Sequence, residues 1–193
     1  MTPKAAIIGG AGPTGQILAA LLVSAGWQVR VLDIAAPEKP LCIDATDEAQ
    51  LSGALRSWGD LDALICLTRA PCPAALAATS WPDWQRVMAV HGTAALLSMR
   101  CARLRPGGAV VLRTRAVRAG TSACVAAADG AVLGLARAAS GGFAPMQVRV
   151  NAVVEQDGTL AASSAAAMAW LASGRASFVT GAELHINSRA IFP

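Results

Sequence analysis

Three glycines at intervals of three, Gly9-x-x-Gly12-x-x-Gly15, follow a short apolar run and precede Ile17, Leu18, Leu21 and Leu22 at helical spacing. Glycines so placed permit a tight turn and close backbone approach, and the following helix would offer its free N–H groups to a pyrophosphate. Thr14 lies inside the turn, and Asp33 stands 18 residues beyond Gly15, placed to accept hydrogen bonds from an adenosine ribose. A carboxylate there repels a 2′-phosphate and no arginine follows it directly, so the pattern favours NAD over NADP. Asp44 either faces an adenine or serves as a turn residue or a cap. The same glycines would also serve plain helix–strand packing in a chain that has lost its ligand.

Arg69, Arg113, Arg115 and Arg118 fall shortly after two apolar runs. They could hold an anion, such as a pyrophosphate, a phosphopantetheine arm or an acidic loop of a partner; solvated loop arginines would give the same pattern. His91 and Asp129 could form an acid–base pair for an elimination or isomerisation, although a lone histidine on an apolar helix face serves equally as a satisfied core residue. The five cysteines, Cys42, Cys66, Cys72, Cys101 and Cys124, are odd in number and lack C-x-x-C spacing, so reduced, mostly buried thiols are expected, with neither disulfides nor a metal site. Tyrosine is absent, and lysine occurs only as Lys4 and Lys39, which excludes chemistry needing a phenol or a mid-chain ammonium.

These residues must be positioned by alternating strands and helices. The apolar patterns predict strands at Ala5–Ile8, Trp27–Leu32, Leu41–Ile43, Leu61–Leu67, Ala109–Leu112, Gln147–Val154 and Leu184–Ile186. Helices are predicted from Ile17 to Gly26, at Glu48–Trp58, at Pro82–Leu104 closed by Pro106-Gly107-Gly108, at Ser122–Ser140 and at Leu160–Ser173. Leu41 comes only eight residues after Asp33, too few for a helical crossover, so a loop replaces the usual second helix. The expectation is an α/β, Rossmann-like, doubly wound parallel sheet forming one domain over residues 1–193.

The bulk properties agree. With 193 residues, 54% hydrophobic and 15% charged, the chain can bury roughly 70% of its unfolded surface without staples. The net charge of +4 is carried by scattered arginines without basic runs or interleaved aromatics, which argues against a nucleic-acid partner. Leu160–Ser173 is too short and too serine-rich to span a bilayer, so no membrane partner and a cytoplasmic location are expected.

Two later motifs extend the picture. Gln147-Val148-Arg149-Val150-Asn151-Ala152-Val153 and Phe178-Val179-Thr180-Gly181-Ala182-Glu183-Leu184-His185-Ile186-Asn187 resemble segments of the short-chain dehydrogenase/reductase family, most closely its 3-oxoacyl-acyl-carrier-protein reductases. The resemblance covers nearly the whole chain, although the glycine spacing is closer to that of extended and atypical members. It implies a nicotinamide cofactor, a tyrosine that protonates the carbonyl oxygen, a lysine four residues later that lowers the tyrosine pKa, an orienting serine, and an asparagine that holds a relay water.

The resemblance puts Val125 at the Tyr position, Asp129 at the Lys position, His91 at the Asn position, and Thr114 or Arg115 near the Ser position. No shift of alignment supplies the acid, because the chain has no tyrosine. Loss of one positioned general acid typically lowers the rate by about 10²–10⁴, and Asp129 would reverse the local electrostatics. Val154 is followed within a few residues by the Leu160 helix, which leaves out the family's substrate lid. The chain is therefore expected to be a catalytically degenerate pseudoenzyme, an accessory or partner subunit beside a ketoacyl-type reductase in fatty-acid or polyketide chemistry. Its cofactor would be NAD before NADP, or none. The family's four-helix interface implies a homodimer, a homotetramer or a heteromer with an active relative through 82–104 and 122–140, with Ala94, Ala95, Ala126, Ala127, Ala128, Ala131 and Gly134 permitting close approach. Alternatives are a redox enzyme with a rebuilt site, a non-redox lyase or isomerase, and a dinucleotide-sensing module.

Overall fold

The short apolar runs are strands because both of their faces are buried. Ala6 and Ile8 pack on one side of β1 (Lys4–Ile8), and Ala5 and Ile7 on the other. A computed structural model of the chain describes residues 1–35, 41–118, 120–156 and 158–187. Five further strands follow: β2 (Gln28–Leu32), β3 (Leu61–Cys66), β4 (Leu104–Arg115), β5 (Arg149–Glu155) and β6 (Glu183–Ile186). They alternate with α1 (Pro13–Ser24), α2 (Glu48–Trp58), α3 (Trp81–Met88), α4 (Ala94–Cys101), α5 (Ala123–Phe143) and α6 (Ala161–Ala172). The sheet is parallel throughout, in the order β2-β1-β3-β4-β5-β6. Helices α2, α4 and α5 cover one face, and α1 and α6 the other. Strand order turns back between β1 and β3, which opens a crevice at the carboxyl ends of the strands.

Local chemistry sets the helix starts. Pro13 opens α1 at a position where its missing N–H costs nothing. The Asp47 carboxylate accepts from the N–H groups of Ala49 and Gln50 at the start of α2, and the Ser80 hydroxyl accepts from Asp83 N–H at the start of α3. The resembling segment at 147–153 holds the sheet's far edge. Arg149 donates to the carbonyls of Leu171, Ser173 and Ala176 at the end of α6, while Asn151 donates to Val179 O and accepts from Ala182 N–H.

Several expectations are corrected. Leu41–Ile43 is not a strand; its one pairing is an isolated parallel bridge between Asp33 and Cys42. Among the described residues no α-helix lies between β2 and α2, and Lys39 falls outside them. The helix expected to run from Pro82 to Leu104 ends at Cys101, and a π-helical turn, Ala89–Thr93, separates α3 from α4. Pro106-Gly107-Gly108 does not stop a helix but lies inside β4. Two steps along β3, from Leu61 to Ala63, match five along β4, from Leu104 to Ala109, and the surplus is absorbed with Gly107 at φ 85°.

Residues 156–160 alone join β5 to α6. Of the small residues expected at an interface, Ala94, Ala95 and Ala128 are buried within the subunit and cannot meet a partner. The segment Ala123–Met146 is long and apolar enough to cross a bilayer by length and composition, whereas Ala161–Ala172 is shorter. One face of the longer segment packs on β4 and β5.

Candidate functional site

The β1–α1 turn separates two uses of glycine. A Cβ on Gly15 would sit 2.2 Å from Gly10 O, and one on Gly9, whose φ is 74°, would sit 2.8 Å from Thr68 N. Packing therefore demands both. A Cβ on Gly12 would meet nothing within 4 Å, although Gly12 is the N-cap of α1 and lines the groove. Helix–strand packing accounts for Gly9 and Gly15 but leaves Gly12 unexplained, whereas a ligand lying against the turn would require it. Asp33 fastens this turn: Oδ2 accepts from Ala11 N–H at 2.8 Å and Oδ1 from Ala35 N–H at 2.9 Å. A carboxylate has about four lone-pair sites, so both oxygens keep capacity for a ribose.

Three adjoining hollows form one groove along the carboxyl edge. The first, about 240 Å³, lies against Gly9, Gly12, Thr14 and Gly15. The second, about 620 Å³, lies between Asp33 and Asp44 at its rim and Leu67 and Val90 at its floor. Asp44 Oδ1 accepts from both N–H and Oγ1 of Thr46, so Asp44 closes a turn and lines the hollow at once. The third, about 690 Å³, is walled by Arg69, Cys72, Arg115, Ser122, Val125 and Asp129. Arg113 touches all three hollows and binds Glu155 through two parallel hydrogen bonds of 2.9 and 2.8 Å.

His91 and Asp129 meet under the third hollow, each 1% exposed. Ala70 N–H donates to His91 Nε2 at 2.9 Å, which assigns the proton to Nδ1, and Nδ1–H donates to Asp129 Oδ1 at 3.2 Å. The imidazole in this arrangement is neutral. Asp129 Oδ2 is buried without a partner among the described residues. Thr114 is fully buried, and its hydroxyl donates to the Asp129 carbonyl, so it faces α5 and not the groove. Arg115, the other residue near the Ser position, lines the third hollow.

Of the four arginines, Arg69, Arg113 and Arg115 come together, while Arg118 lies outside the lining and donates to Gln156. Arg69 Nε is buried without a partner among the described residues. Burial, followed by repulsion from Arg115, brings the Arg69 guanidinium down to about 10, against the attraction of Asp129. One thiol joins the wall: Cys72, which packs against the fully buried Cys124, and the hydrogen bond to Cys124 lowers the Cys72 thiol. Cys66, in the core, is pushed up to about 12 by burial. Cys42 is exposed and Cys101 half-buried. Among the described residues, no cluster suits a metal.

Glu155 is the groove-lining residue that the sequence did not single out. Its signal is a charged residue ending a strand otherwise apolar after Asn151, in register with Arg115 and two residues along from the partner of Arg113.

A family model described as Enoyl-(Acyl carrier protein) reductase matches residues 15–163. No curated protein matches the sequence. Among solved structures, a short-chain dehydrogenase/reductase from Serratia marcescens superposes with a TM-score of 0.87 at 22% identity, over 95% of this chain and 95% of that one. The ligand-free aldohexose dehydrogenase of Thermoplasma acidophilum gives 0.86 at 19%, over 100% and 98%. The protein BdcA, solved with NADPH, gives 0.83 at 22%, over 95% and 92%. At these identities the likeness is one of fold.

Proposed function

The chain belongs to the short-chain dehydrogenase/reductase family, and from that premise we propose that it binds a nicotinamide dinucleotide along the sheet edge without performing the family's carbonyl reduction, acting as an accessory or partner subunit. One observation carries this reading. At the wall where the family mechanism needs a phenol with a cation beside it, Val125 offers no proton and Asp129 offers a buried negative charge tied to His91. The adenosine side is better furnished, with Gly12 open to the groove and Asp33 at its rim. NAD is favoured over NADP because the Asp33 carboxylate repels a 2′-phosphate.

Partnering would use the outer face of α5, where Gly130, Gly134 and Ala138 are exposed, with Leu96 of α4. A homodimer, a homotetramer or a heteromer with an active relative, such as a ketoacyl-type reductase, would each cover it. Titration of NADH and NADPH, followed by tryptophan emission, is expected to saturate with NADH the tighter. Absence of saturation by about 1 mM would end the dinucleotide reading. Native mass measurement after co-expression with a ketoacyl-type reductase tests the partner reading, and a strictly homomeric species would count against the heteromer.

A second reading, a rebuilt redox site or a non-redox lyase or isomerase, rests on Asp129 of the cleft wall, whose Oδ2 has no partner among the described residues and could serve as a base. Turnover that is lost on His91→Ala in a folded variant would favour it.

A further inference from the structure

Two residues of the same cleft wall each carry a buried polar atom without a partner among the described residues: Arg69 Nε, a donor, and Asp129 Oδ2, an acceptor. Buried polar groups are almost always paired, so each orphan requires an explanation. The two residues feel each other's charge, yet no hydrogen bond joins them. Glu155 neutralises Arg113, and the tautomer of His91 leaves its ring uncharged. Arg115 has no ion pair among the described residues, so Arg69 and Arg115 oppose Asp129 alone and the cleft carries a net single positive charge.

We infer that this cleft is a site for a small organic monoanion bearing a hydroxyl, of the hydroxycarboxylate class, with Arg69 and Arg115 on the carboxylate and Asp129 Oδ2 accepting from the hydroxyl. The donor and acceptor demands are then met together, and the charges close to zero. A plain carboxylate meets only half of the demand; a neutral alcohol leaves the arginines repelling each other. His91 is a positioning residue, because its Nδ1–H fixes Asp129 Oδ1 and turns Oδ2 toward the ligand. The site does not depend on a bound nucleotide, so its test is separate from the NADH titration.

Calorimetric titration at fixed ionic strength with glycolate, acetate and glycolamide tests the assignment on the full chain. Glycolate is expected to bind at least about tenfold more tightly than acetate, and glycolamide not to bind. Arg69→Gln should weaken glycolate by about tenfold or more while melting no lower than the wild-type chain, since it relieves a buried, repelled charge. Asp129→Asn, where it folds, should erase the preference for glycolate over acetate. Equal affinity for glycolate and acetate in the wild-type chain, no saturation by about 10 mM, or unchanged glycolate binding in Arg69→Gln would each overturn the inference.

Discussion

At the scale of single residues, Arg113 and Glu155 occupy the most consequential position, because any ligand that runs the length of the groove must pass them. Their side chains are 19% and 7% exposed, and each holds the other by two hydrogen bonds. Removing one partner of a fully buried pair costs about 3–5 kcal/mol, so Glu155→Gln is expected to lose about 3 kcal/mol in urea unfolding. The same change frees Arg113 for a pyrophosphate, and NADH should bind more tightly to the folded variant. A variant of unaltered stability would mean that the pair is solvated. Arg69 supplies a pH signature. Its guanidinium, at about 10, lies below its ordinary 12.5. Above about pH 10 the unfolded chain therefore binds the extra proton, and stability rises with pH through this group. Measured as urea midpoints, the difference between wild type and Arg69→Gln should shift toward the wild type between about pH 9 and 11.

At the scale of elements, the β1–α1 turn makes a separable prediction. Gly15→Ala drives a Cβ to 2.2 Å from a backbone oxygen, which only backbone movement can relieve; a loss of about 3 kcal/mol or more is expected in thermal unfolding. Gly12→Ala meets open space and should change stability by less than about 1 kcal/mol while weakening NADH about tenfold or more. Equal nucleotide binding in Gly12→Ala and wild type would return the turn to a packing role. The π-helical turn Ala89–Thr93 carries His91 to Asp129 and the Ala70 backbone. Helical spacing in the sequence brought His91 to a helix, but the choice between ligand and core residue depended on what α5 presents across the packing layer. Likewise Pro106-Gly107-Gly108 has the composition of a helix stop and is a strand irregularity, because β4 pairs with β3 at Leu104 and again from Ala109, where β5 joins it, and the pairing on either side carries the strand through.

At the scale of the whole molecule, the exposed glycines of α5 are expected to lie in a subunit contact. Gly134 has open space around a built Cβ, so Gly134→Glu should leave the fold intact, lower the mass measured by sedimentation and leave NADH binding unchanged. A wild-type chain that sediments as a monomer at micromolar concentration would refute the contact.

The sequence by itself determined the alternation of strands and helices, the parallel sheet, the glycine turn with Asp33 and the absence of the family's phenol, because periodicity, glycine spacing and composition are local or countable. Tertiary structure alone decided which glycine has open space beside it, that Thr114 turns away from the groove, that Glu155 claims Arg113, and that Arg69 Nε and Asp129 Oδ2 lie on one cleft wall without partners among the described residues. Those outcomes depend on side chains from strands and helices distant in sequence meeting at one sheet edge, where burial and opposing charge, and not spacing, set what each group can do.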